Sequence, residues 1–282
     1  MRLRTAHHEV FSTVADDDYN QRLADTLEAA VPLYQSVTGL APPPPGERPM
    51  RCYVFANRAQ FEAFTRTNLA ESAEDYLKFN RGGYTIGDVF ASHYAGDGTL
   101  STAAHEGFHQ YLHRVLRDSI PPFLEEGLAS MFESLSFGGV NRRGAPTFDL
   151  RRNTPLANAL HAAVEHAALI PLPELATLHA GDVVGSDRYP RELFYAQSWA
   201  FARFLLEADA GRYRPALRQM FIDAAAGRLY GPPDGVARAP GTFRPSESVA
   251  MLERRLGAPL ASLEPAYRAF VQQIARPPTR LD

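Results

Sequence analysis

Residues 105 to 109 of the chain read His105-Glu106-Gly107-Phe108-His109, and this pattern constrains the backbone before anything else is known. Two imidazoles four residues apart act together on a helix, where about 3.6 residues per turn stack them one turn apart on one face. Both then reach a single metal ion, and Glu106 beside them can hold a water and take its proton. The surroundings predict that helix, because Leu100, Ala104, Phe108, Leu112 and Val115 recur every three or four residues and Thr99 or Ser101 can cap its start. Its back is apolar and its front carries the histidines. His113 extends the stripe, but at about 1.5 Å rise per residue it lies about 12 Å along the axis from His105. It cannot share the ion and reads as a surface or outer-layer histidine.

A catalytic zinc site normally takes three protein ligands and leaves a fourth position open. Gln110-Tyr111-Leu112-His113-Arg114-Val115 supplies no glycine and third histidine at the spacing that would complete the set locally. A glutamate from a following helix is the better candidate. Pro121-Pro122 ends a connection, Pro122 suits a first helical turn, and Phe123 to Glu133 runs with helical periodicity. Glu125 and Glu126 point about 100° apart on such a helix, so only one of them faces the metal. Gly127 and Ala129 permit a close approach to a neighbour.

His-Glu-Gly-Phe-His followed by Phe-Leu-Glu-Glu-Gly-Leu-Ala-Ser-Met-Phe-Glu resembles the gluzincin clan of zinc metallopeptidases, which includes aminopeptidase-N-type enzymes. More closely, it resembles the bacterial peptidase MA-like proteins, described as a domain of unknown function. That resemblance implies one zinc ion held by His105, His109 and Glu126, with Glu106 as general base. Glu125 is then a solvated acid favoured by the positive end of its helix. Glu133 either accepts a hydrogen bond from a metal-bound imidazole or makes a surface salt bridge. The linker before Glu126 is shorter than in the aminopeptidase-N type and no Gly-Ala-Met-Glu-Asn segment is present, so aminopeptidase specificity is not implied. Leu193 to Leu206 resembles the Tyr-x-Gln-Ser/Ala helix of the MA-like proteins. By that match Tyr195 donates to the oxyanion of the reacting carbonyl, with the equal alternative that Tyr189, Tyr195 and Trp199 are packing residues. Gln197 can likewise be a packing amide.

The fold expected is α+β and zincin-like: an N-terminal mixed sheet with helices and the active-site helix over residues 1–117, then a mostly helical subdomain over 118–282 carrying the third ligand. Leu3 to Ser12, Cys52 to Ala56, Gly83 to Ile86 and Val89 to Tyr94 read as strands. Tyr19 to Thr38 and Ala59 to Arg66 read as helices. The resemblance implies that Phe90 to Tyr94 forms a sheet edge that pairs with substrate, with His93 as a rim histidine. Further helices are expected at Leu156 to Ala168, Glu192 to Glu207, Arg214 to Ala226, Glu247 to Leu256 and Leu263 to Ala275. The metal is expected in a cleft between the two halves. Pro42 to Pro45 and Pro232 to Pro245 read as loops too short to separate independent domains. His161 and His166 diverge on their helix, so with Glu165 they read as surface residues.

A 45% hydrophobic content is ample for a core, and a net charge of -3 argues against general nucleic-acid binding. Lys78 is the only lysine among 29 basic residues, and the cluster Arg142, Arg143, Arg151 and Arg152 lacks interleaved aromatics, which reads as solvated charge. Cys52 is the only cysteine, so neither an internal disulfide nor a thiolate zinc cluster is expected. No apolar run reaches membrane-spanning length and no signal-peptide core is visible, which favours a cytoplasmic protein. The expectation is a zinc-dependent metallohydrolase, a peptidase acting on a peptide or protein substrate. The alternative is a non-catalytic zinc-containing protein that binds peptides or an envelope partner on the same fold. The intact Glu106 counts against it.

Overall fold

The structure is a computed structural model that describes residues 1–78, 82–138, 144–183, 188–231 and 245–275. It is mixed α and β, and the chain divides into two compact units. The first comprises Met1–Val115 and Phe132–Leu150; the second comprises Leu116–Met131 and Arg151–Asp282. The division therefore is not one cut near residue 117, because residues 132–150 return to the first unit.

The first unit opens with β1 (Arg2–Arg4) and β2 (His8–Ser12), followed by α1 (Asp17–Thr38) and β3 (Met50–Phe55). Then come α2 (Arg58–Leu69), α3 (Ala73–Lys78), β4 (Gly83–Ile86), β5 (Val89–His93) and α4 (Gly98–Val115). Five strands form one sheet in the order β1-β2-β3-β5-β4. β2, β3 and β5 run parallel, while β1 and β4 pair antiparallel at the two edges. The parallel pairing of β2 with β3 requires a crossover, which α1 provides. Asp16 caps α1 by accepting from the Tyr19 N–H at 2.9 Å, and Gly39 ends it in the left-handed region at φ 75°.

Alternation along the strands sends Val10, Cys52, Val54 and Phe90 to one face, where they bury Tyr19, Leu23 and Leu27 of α1 and Leu100 and Ala103 of α4. Tyr84 and Ala91 go to the opposite face and pack with Phe61 of α2 and Leu77 of α3. The motif helix is thus held against the sheet. The returning segment forms the hairpin β6 (Leu135–Phe137) and β7 (Pro146–Phe148), and Leu135 and Phe137 pack on the α1/α4 core.

Two expectations change here. Leu3 to Ser12 is not one strand: Thr5 turns the chain, with its N–H donating to the His8 carbonyl at 2.9 Å and its hydroxyl accepting from the His8 N–H at 3.0 Å. The turn is tied to α1, where the Glu28 carboxylate accepts from Thr5 Oγ1 and the His7 N–H and lies 2.9 Å from His7 Nδ1 and 2.8 Å from His8 Nδ1. Burial raises the Glu28 carboxyl, but bonds from His8, Thr5 and His7 outweigh it and hold the group well below the usual carboxylate range. Burial holds the His8 imidazole below its ordinary value. The second change concerns β5, whose two neighbours are β3 and β4, so Phe90 to Tyr94 is not a sheet edge. β4 occupies that edge.

The second unit is helical among its described residues. α5 (Pro122–Ala129) passes into a 3₁₀ turn at Ser130–Phe132, so the helix expected to reach Glu133 stops short of it. α6 (Thr154–Glu165), α7 (Leu172–Leu175), α8 (Ala180–Val183), α9 (Arg191–Glu207), α10 (Arg214–Ala225), α11 (Pro245–Leu256) and α12 (Leu260–Ile274) follow. α9 is the hub and packs against α5, α6, α10 and α12. A methyl group on Gly127 of α5 would lie 2.0 Å from the Ser198 carbonyl oxygen of α9, so the two backbones meet through the missing side chain. Of the loop expected at Pro232 to Pro245, residues 232–244 lie outside the described residues and Pro245 begins α11; Arg142 and Arg143 also lie outside them. Among the described residues no helix is long and apolar enough to cross a membrane.

Candidate metal centre

α4 begins at Gly98, which puts Thr99 and Ser101 inside its first turn rather than at its cap. Thr99 still serves the entry, because its hydroxyl accepts from the Ala95 N–H at 2.8 Å. Side chains from three sides fix the helix. Gln110 Nε2 donates to the carbonyls of Arg51 at 3.0 Å and Asp88 at 2.8 Å, and Tyr111 donates to the Leu40 carbonyl at 2.5 Å. Thr85 of the edge strand β4 donates to the backbone carbonyl of Glu106 at 3.1 Å.

From this seat His105 and His109 bring their Nε2 atoms to 3.2 Å, with ring planes inclined by 62°. Two neutral imidazoles sharing one N–H···N bond and two imidazoles bound to one metal both fit that spacing: tetrahedral zinc with Zn–N near 2.0–2.1 Å separates its nitrogens by about 3.3 Å. The opposite edge of His105 suits both arrangements. His105 is 4% exposed and its Nδ1 lies 2.8 Å from Glu133 Oε1. A proton on Nδ1, on the side of that carboxylate, would leave the Nε2 lone pair toward His109, an orientation that serves an N–H···N bond and a metal alike. The donor set therefore fits zinc. Glu106 is 7% exposed, between the two histidines in sequence.

Of the alternatives open for Glu133, the structure brings the residue to an imidazole. It arrives with the returning segment of the first unit, so its approach depends on tertiary structure rather than on helix periodicity. Glu126 is half-buried on α5 of the second unit, and Glu125 precedes it on the first turn. Tyr195 stands on α9, buried at 3% exposure with its ring edge-on to Phe194 at 5.2 Å. Gln197 is a packing amide, which donates to the Ile170 carbonyl at 2.9 Å and accepts from the Ile170 N–H at 2.6 Å.

Other histidines have their own surroundings. His93 turns toward α2, with its ring 5.6 Å from that of Phe61. His113 is exposed near the end of α4. His161 meets Glu165 at 3.5 Å on an exposed helix surface. The Cys52 thiol is fully buried between the sheet and α1 and α4, and burial pushes it far above its ordinary range, so it remains protonated. Thr85 and Gln110 support the centre without having been recognisable by residue type. Their partners are backbone carbonyls, which no side-chain pattern marks.

No protein-family model matches the chain, and no curated protein matches it.

Proposed function

We propose that the chain is a zinc-dependent metallohydrolase of gluzincin type, a peptidase on a zincin-like fold. The observation that carries this reading is the pair of His105 and His109 Nε2 atoms at 3.2 Å with Glu133 behind His105. A mixed sheet leading directly into the motif helix supports the fold assignment. His105, His109 and Glu126 each offer one ligand atom of a kind zinc accepts. The segment with Glu126 is tethered at both ends, leaving the first unit after Val115 of the motif helix and rejoining it at Phe132, one residue before Glu133. That covalent reach supports Glu126 as third ligand.

His105, His109 and Glu126 would hold the ion, which would supply Lewis acidity toward a carbonyl and a water. Glu106 takes the proton from that water and returns it to the departing amine, the two halves of general acid–base catalysis. Glu133 holds His105 in one tautomer and one ring orientation. Tyr195 donates to the carbonyl oxygen as negative charge develops on it.

The test is metal analysis of the purified protein beside Glu126→Ala, with cleavage of a mixed peptide pool by the parent and Glu106→Gln. We expect about one zinc per chain in the parent, loss of zinc in Glu126→Ala, and retained zinc with a loss of turnover in Glu106→Gln on the order of 10²-fold or more. Equal zinc in the parent and Glu126→Ala would remove that ligand assignment. A parent that holds zinc yet cleaves no faster than Glu106→Gln has the binding role and not the catalytic one.

A further inference from the structure

Gly107 is the member of the pentapeptide with no chemistry of its own, and a glycine within a helix costs about 1 kcal/mol relative to alanine. Its reason lies behind the helix. A Cβ on Gly107 would come 2.8 Å from the Tyr34 hydroxyl oxygen and 3.4 Å from Leu27 Cδ2, both on α1. Tyr34 is fully buried, and its hydroxyl donates to the Ala104 carbonyl at 2.5 Å. That carbonyl is also the one a regular α-helix pairs with the Phe108 N–H, so the tyrosine grips the turn on which His105, Glu106 and Gly107 sit.

The ring of Tyr34 does a second thing. It stands edge-on to Phe108 at 5.4 Å and to Phe132 at 4.7 Å, while Phe108 stacks on Phe132 at 5.2 Å. Phe132 immediately precedes Glu133, the carboxylate that meets His105. One side chain of α1 therefore touches both the back of the histidine turn and the residue that delivers the acceptor to it. Burial pushes the Tyr34 hydroxyl well above its usual range, so it stays a donor.

We propose that Tyr34 is a positioning residue of the metal centre: its hydroxyl, seated in the slot left by Gly107, fixes the turn that presents His105, Glu106 and His109, and its ring sets the approach of Glu133. The inference rests on reading that centre as a zinc site. It differs from ordinary core packing in a specific way. Packing alone ties Tyr34 and Gly107 to stability, whereas positioning ties them to the geometry of His105.

Four proteins decide it: the parent, Tyr34→Phe, Gly107→Ala and the double variant. Each is measured for zinc affinity by competition with a chromophoric chelator, and for the low-field Nδ1–H resonance of His105 in the metal-free protein. Gly107→Ala should lose roughly tenfold or more in zinc affinity and displace the His105 resonance, a loss of the size seen when a metal ligand's supporting partner is disturbed. Tyr34→Phe should lose about three- to tenfold. The double variant, with the hydroxyl gone from the slot, should recover to within about threefold of Tyr34→Phe and restore the resonance. A Gly107→Ala protein with parental affinity and resonance overturns the proposal whatever its melting temperature, and so does a double variant no better than Gly107→Ala. If Gly107→Ala does not fold, a folded double variant supports the slot, and Tyr34→Phe with parental affinity and resonance refutes it. Absence of zinc binding in the parent removes the metal reading alone, and the His105 resonance across the four proteins then decides the brace.

Discussion

Replacing Glu133 by alanine is the sharpest test of how the histidine pair is prepared. In the folded protein His105 is 4% exposed and its Nδ1 lies 2.8 Å from Glu133 Oε1. Without the carboxylate, Nδ1 loses this charged neighbour, and the preference for a proton on Nδ1 that leaves Nε2 free for a metal is weakened. Loss of such an outer partner typically costs 10- to 100-fold in metal affinity, or about 1.4–2.8 kcal/mol. The Glu133 side chain is 25% exposed, so water can replace part of the lost acceptor, which places the expectation at about 10- to 30-fold. Glu133→Gln keeps an acceptor oxygen without the charge and should fall about three- to tenfold below the parent. Competition titrations with a chelator at fixed pH and ionic strength give both numbers. A Glu133→Ala protein that binds zinc as tightly as the parent would refute the claim that this carboxylate prepares His105, and parental affinity in Glu133→Gln alone would show that its charge is immaterial.

Two further outcomes concern the frame that holds the centre. Gly127→Ala puts a methyl group 2.0 Å from the Ser198 carbonyl oxygen and 2.4 Å from its carbon, and backbone cannot rotate away as a side chain can. α5 and α9 must part, and after the gain in helix propensity the variant should be less stable by roughly 2–4 kcal/mol, melting about 4–12 °C below the parent; an unchanged or higher melting temperature would contradict the close approach. The Thr5–Glu28 cluster predicts acid sensitivity of the first unit. His8 and Glu28 both have folded pKa values below their unfolded ones, so the folded state binds fewer protons: His8 begins to cost stability as pH falls below about 6.5, whereas the Glu28 contribution is present above about pH 4.5 and is lost as pH falls below that. Melting temperature should drop as pH falls from about 6.5 and again below about 4.5, and Glu28→Gln should remove the lower step while leaving the upper one as steep or steeper; a parent equally stable at about pH 7 and about pH 3 would show that the cluster is not linked to folding.

Local pattern was enough wherever one segment supplies its own explanation. The periodicity of Leu100 to Val115 and of Glu192 to Glu207 reappears as α4 and α9, because an apolar stripe at that period has one way to be buried. What local pattern could not show came from partners distant in sequence. The strand reading of Leu3 to Ser12 fails at Thr5 because Glu28 collects the turn, and no alternation of residues 3–12 reveals a carboxylate on α1. The helix expected through Glu133 ends at Ala129, and Phe132 goes to Tyr34 and Phe108. The edge assignment for Phe90 to Tyr94 treated one strand alone, whereas edges are set by which strands flank it. Gly107 was the visible clue to Tyr34. A glycine inside a confident helix asks what occupies the missing side chain's space, and only the fold answers.

The return of residues 132–150 to the first unit has a consequence for how the protein is made. Synthesis runs from the N-terminus, so the whole pentapeptide is in the chain before Phe132, Glu133 and the hairpin that packs beside them have been added. During that interval the two imidazoles are present without the carboxylate that orients one of them and without the ring that closes over Tyr34. The pairing of His105 with Glu133 therefore belongs to a late stage of synthesis. A fragment cut at residue 117, where motif and helix are both complete, carries every letter of the signature and lacks the part that gives it direction.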